Sequence, residues 1–197
     1  MLLKIPFETS APILEQFNIS EEAANVITIE MPPEEALSAL FEGEHMVDML
    51  NYFAHGMPPR EGVCWAIATI CEILSEISAS DRDILELSKK WVKDPQESLR
   101  IRLMIDGEGR NNDDPIRWLC CAIAWNGSGS IGPQDGPVVL PPHGLYASAL
   151  MGAVSLLVES TQEGLSAVHE SAHRWGLEVA QGGWPMQIDE TKLTKNP

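Results

Sequence analysis

A chain of 197 residues with 44% hydrophobic and 21% charged side chains can bury roughly 70% of its unfolded surface in one core, which excludes a disordered polymer. Its formal net charge of −16 argues against nucleic acid or an anionic membrane as partner, because both reward basic surfaces. The acidity is uneven: residues 1–50 hold ten acidic residues against Lys4 alone, more than half of the excess in one quarter of the chain.

Residues 1–32 carry five of these ten acids without a clear hydrophobic period, and only Asn25–Met31 reads as a short extended piece. The stretch is predicted to be an acidic, weakly structured arm that docks on a basic partner, with Glu21, Glu22 and Glu30 as candidate contacts. Its first residues, Met1 to Glu8, lack the apolar run of a signal peptide.

From residue 33 to 184 the period is helical. Pro32-Pro33-Glu34-Glu35 is a good start, with proline near the first helical position and acids at the positive end of the dipole. That helix runs through Phe41 to Gly43. The next, Glu44 to His55, aligns Met46, Met49, Leu50 and Phe53 and stops at Gly56. Pro58-Pro59-Arg60-Glu61 launches the longest predicted helix, through Val63, Ile67, Ile70, Leu74 and Ile77. Ser80-Asp81 is read as the cap of a helix ending at Val92, before Asp94-Pro95. Gln96–Met104, Asp114-Pro115 to Asn126-Gly127, Leu145–Ser160 and Gln162–Ala180 complete the set. The expected fold is all-α, a single-domain bundle of about eight helices, followed by a polar tail over 185–197.

The connection Gly127 to Gly144 is long for a compact domain and rich in glycine and proline. It spells G-x-G-x-x-G at Gly127 to Gly132. A phosphate-cradling version must follow a strand and open a helix, whereas this one follows a helix and meets Pro133. Val138-Val139-Leu140 could be extended, and Ile131, Pro133 and Val138 are candidate contacts of a partner-recognition loop. The uncharged stretch beyond it leaves only about 14 apolar helical residues, Leu145 to Val158, too few to cross a bilayer.

Cys64, Cys71, Cys120 and Cys121 have no metal-knuckle spacing and read as small buried hydrophobes of a reducing compartment, so a cytoplasmic protein is expected. Of six tryptophans, Trp65 and Trp91 fall on apolar helix faces. Arg60, Arg100, Arg102 and Arg117 recur at helix ends, where pairing with carboxylates would orient helices. No serine or cysteine sits on a nucleophile elbow, and no cofactor is implied.

One motif has catalytic form. His169-Glu170-Ser171-Ala172-His173 is H-E-x-x-H, which on a helix can place two zinc ligands and a general base together. With Gly176 it extends toward a metzincin pattern, but Val179 occupies the third-ligand position and Arg174 would repel the metal. At ~100° per residue, Leu165, Val168, Ala172, Trp175 and Val179 form the apolar stripe. His169 and His173 then lie on its shoulder and Glu170 nearly opposite. A structural role with no metal is the expectation. A small zinc-dependent hydrolase with ligands His169 and His173 and base Glu170 is the alternative.

Arg60, Glu61, Trp65 and Ala66 form one distinctive group, and Trp91, Val92, Pro95 and Arg100 another. With Leu119 to Pro133 and Gly176 to Gly183, these segments resemble an uncharacterised family of helical proteins commonly encoded among bacterial type VI secretion genes. The resemblance covers roughly residues 33–184. In that family a second aromatic often stands where this chain has Cys64, and H-E-x-x-H is not part of the pattern. The resemblance implies a helical fold and no established activity. The combined expectation is a non-enzymatic accessory protein, an adaptor or chaperone of effector loading, that binds another protein through its acidic arm, its long loop, or both.

Overall fold

Eleven consecutive residues of one helix, Glu61–Cys71, are buried, and the other elements are arranged around them. The computed structural model describes residues 2–126, 129–132, 136–161, 164–187 and 192. Among these, nine α-helices form and no strand: α1 (Ala11–Leu14), α2 (Pro33–Glu42), α3 (Met46–Gly56), α4 (Pro59–Ile73), α5 (Ala79–Lys93), α6 (Glu97–Glu108), α7 (Pro115–Ala124), α8 (Leu145–Ser155) and α9 (Gly164–Ala180). The buried helix is α4, which touches α3, α5, α7, α8 and α9, while α7 lies between α6 and α8. Trp65 at its centre is fully buried and donates Nε1–H to the Ala172 carbonyl of α9 at 2.9 Å. Truncating such a side chain costs about 3–5 kcal/mol. The single all-α domain read from the helical period is the fold that forms.

Several boundaries differ from the sequence expectation. The fourth helix stops at Ile73 rather than Ile77, because Leu74 turns to extended backbone (ψ 121°). The cap of α5 is Ser78, not Ser80: its hydroxyl accepts from the Asp81 N–H while the Asp81 carboxylate accepts from the Ser78 N–H. The longest helix is α9, with 17 residues against 15 for α4. Helix α6 runs four residues past Met104 to Glu108, where Arg117 donates to the carbonyls of Gly107 and Arg110 and holds the last turn. The eighth element tightens to a 3₁₀ turn over Leu156–Ser160. Neither Asn25–Met31 nor Val138–Leu140 forms a strand, although Ile131 N–H donates to the Val139 carbonyl at 2.8 Å.

Of the four arginines expected at helix ends, Arg60 and Arg117 serve carbonyls, Arg102 a carboxylate and Arg100 both. Arg60 Nε donates to Val92 O at 2.7 Å at the end of α5, and Arg100 Nη1 to Ala124 O at 2.7 Å at the end of α7. With Arg117 of α7 at the end of α6, three helix C-termini are closed by an arginine from another element, which also suits the negative end of each dipole. Arg102 meets the carboxylate expectation through Asp106, and Arg100 adds a bidentate pair with Glu97.

Residues 2–32 do not form a free arm. Leu2, Ile5, Ile13, Ala23 and Ile27 are buried in the common core. Ser10 and Tyr52 share a 2.6 Å hydrogen bond, and Ser20 donates through N–H and Oγ to the buried Asp48 carboxylate. Apolar residues spaced so irregularly have no helical or strand period, so their burial leaves no local signature. Among the described residues no helix is long and apolar enough to cross a membrane, and the four cysteines are unpaired thiols.

Candidate functional site

The H-E-x-x-H helix is α9, and its surroundings decide what the motif can do. Phe41, at the end of α2, stacks on the His173 ring at 3.9 Å between centroids and packs tilted against His169 at 4.8 Å. Both Nε2 atoms are enclosed without a hydrogen-bond partner. Burial pushes the His173 pKa down to about 4, with His169 adding to the effect. It also lowers His169, against the pull of Glu44 and Glu170. The helix is rotated from the expected orientation: His169 is buried with Val168 and Ala172, whereas Leu165 is 58% exposed, because Phe41 covers the shoulder. Glu170 is exposed and accepts from Ser166 at 3.1 Å. Among the described residues no three His, Cys, Asp or Glu side chains converge as a metal site. Gly176, which lengthens the likeness to a metalloprotease, is required by packing, since a Cβ there would stand 2.5–2.7 Å from the Phe53 ring.

On the next face of α9, Ser171, Arg174 and Trp175 all donate to one oxygen of Glu72 on α4. Partial burial raises the Glu72 pKa, but these donors outweigh it and hold the carboxyl below its ordinary value. Lys192 closes the same end of α4 by donating to the carbonyls of Cys71 and Glu72. Clefts of about 550 and 560 Å³ flank this hub. Three donors on one carboxylate oxygen make Glu72 a fastener between α4 and α9. Sequence reading missed it, although the i, i+3, i+4 row of Ser171, Arg174 and Trp175 marks one polar face of α9.

The acidic residues are placed differently. Of the ten in residues 1–50, nine glutamates are exposed, among them the predicted contacts Glu21, Glu22 and Glu30, while Asp48 is buried. Lys4, the sole lysine or arginine of that stretch, is held by Glu61 at 2.8 Å. Beside these glutamates the backbone of residues 2–8 and 32–34 frames an apolar groove of about 420 Å³. Leu3 stands 63% exposed and Phe7 37% exposed there.

The long loop forms a second cleft, of about 620 Å³, in which Ile131 and Val138 face Ile101, Met104 and Ile105 of α6. Arg100 anchors it by donating to the Ser130 carbonyl, and Gly129 is buried directly against that guanidinium. Val138 is 76% exposed, and Pro133, with Gly127 and Ser128 of the glycine pattern, lies outside the described residues. The structure therefore brings Ile131 and Val138 together, and places the three glutamates on the separate N-terminal segment.

The chain belongs to a family of unknown function (DUF6931), matched over residues 36–180. That span runs from α2 to the end of α9 and contains the groups Arg60, Glu61, Trp65 and Trp91, Arg100, whose side chains cap helices and fill the core. No curated protein and no solved structure matches the chain.

Proposed function

We propose that this protein is a non-enzymatic accessory factor that binds another protein, as an adaptor or chaperone of effector loading in a bacterial type VI secretion system. The observation that carries the reading is the acidity of the N-terminal quarter: nine exposed glutamates against one lysine, Lys4, which Glu61 already holds. Such a field accelerates and orients the docking of a basic partner. The resemblance of residues 33–184 to proteins encoded among secretion genes supplies the cellular context. Support also comes from α9, where the two histidines of H-E-x-x-H pack against Phe41 with both Nε2 atoms enclosed, and from Glu72, one oxygen of which already accepts from three donors. These residues hold helices together.

The test is capture from the native cell with tagged protein and with the triple variant Glu21→Lys, Glu22→Lys, Glu30→Lys. The native protein should retain a component or effector of the secretion apparatus. The variant should lose it by at least about tenfold in Kd, with an unchanged melting temperature, because these side chains are exposed. Equal capture by both would remove the acidic face from the reading, and capture of no secretion component by either would end it.

A further inference from the structure

The groove between residues 2–8 and 32–34 has three properties that together specify a ligand. It is apolar: Leu3, Pro6, Phe7 and Pro32 line it, and Leu3 leaves most of its surface to solvent. It is built on a fixed floor. Leu2 and Ile5 are buried beneath it, Lys4 N–H donates to the Ala180 carbonyl at 2.8 Å, and Ser10 N–H to the Met31 carbonyl at 2.8 Å. Its rim is acidic, with Glu8 and Glu34 exposed at its edge and Glu30 and Glu35 exposed in the adjoining chain.

From this we infer that the groove is the docking site for a short extended segment of the partner in which apolar side chains alternate with lysine or arginine. The inference deepens the protein-binding reading and rests on it. Pro6, Pro32 and Pro33 have no N–H to offer, so the walls give few donors for a paired strand; recognition falls to side chains in the groove and to charge at its rim. An alternating segment meets both, since side chains on opposite sides of an extended chain can face the apolar floor and the acidic rim separately. The volume of about 420 Å³ lies in the range of about 300–1,000 Å³ typical of ligand pockets. A second copy of this chain is a poor occupant, because it brings another net charge of −16 to an already acidic rim. The chain's own Lys192 is committed to the carbonyls at the end of α4.

The experiment measures fluorescence polarisation of three synthetic twelve-residue peptides against the full-length protein: alternating Leu/Lys, alternating Leu/Glu and alternating Ser/Lys. The Leu/Lys peptide should bind at least about tenfold tighter than either control and weaken as salt rises. Leu3→Ser should reduce that binding at least about tenfold with the thermal melt unchanged, since its side chain is mostly in water. Glu8→Lys should reduce it from the rim without touching the floor. Equal binding of Ser/Lys and Leu/Lys, or full binding by a folded Leu3→Ser protein, overturns the groove. So does a dimer in gel filtration that Leu3→Ser dissolves, which would make a second copy the occupant. Failure here alongside intact capture in cells leaves the accessory reading standing with its contact elsewhere. Peptide binding without capture of a secretion component sinks that reading and keeps the groove.

Discussion

His173 illustrates how far a residue's role can be read before its neighbours are known. Spacing alone places it beside His169 on one side of a helix; the ring that covers both, Phe41, comes from α2, more than 120 positions earlier. The covered imidazole has a folded pKa of about 4 against an ordinary 6.5. Between those values the unfolded chain binds the proton and the native one does not. Stability is therefore complete above about pH 6.5 and is lost as the pH falls toward about 4. His55, stacked on Phe17, and His169 are lowered in the same direction. Glu72, also lowered, adds its own loss in the carboxylate range. His173→Phe keeps an aromatic ring on Phe41 without the titration. Its unfolding free energy should fall less than that of the native protein between pH 6.5 and 4, by roughly 1–2 kcal/mol after discounting for a ring that is only half-buried. Parallel curves for the two proteins in denaturant titrations at several pH values would show that His173 is not proton-linked to folding.

At the scale of elements, hydrophobic period and proline starts were enough to locate α2 to α9, because each depends on residues within one or two turns. The misplaced ends have another cause. The period of α6 fades after Met104, yet the helix continues to Glu108 because Arg117 of α7 satisfies its last carbonyls. Ser78 and Ser80 are equally plausible caps until Asp81 is seen to close a reciprocal pair with the first. Arg100 is the most consequential of these long-range fasteners, since it is 5% exposed and joins α6, α7 and the long loop. Arg100→Met keeps the stem but leaves the Ala124 and Ser130 carbonyls without their donor. A loss of about 2–4 kcal/mol is expected. Hydrogen exchange should locate it. The Ile131 and Val139 amides, held by Val139 O and Ser130 Oγ, should exchange much faster, while the amides of α4 keep the slow exchange of the core. Uniform acceleration across the molecule would mean that Arg100 supports global stability and has no particular hold on the loop.

The whole molecule separates charge from packing in a way that composition conveyed only in part. The concentration of acid before residue 50 was plain, and so was its exposure; the burial of the same segment was not, because Leu2, Ile5, Ile13, Ala23 and Ile27 reach the core from turns, one four-residue helix and one 3₁₀ turn. Periodicity reports regular elements, and an irregular segment that threads over a bundle leaves no period to find. The consequence is that the acidic face rests on a rigid support, which lets a groove with fixed walls exist at all. Removing residues 1–14 takes away three large buried aliphatics, each contributing about 1.5–3 kcal/mol, and leaves the Tyr52 hydroxyl without Ser10. The truncated protein should lose at least about 5 kcal/mol and melt roughly 10–20 °C lower in a circular dichroism scan. An unchanged melting temperature would return the segment to the status of a free arm. The groove could not then discriminate by shape, and only the charge of the face would remain to select a partner.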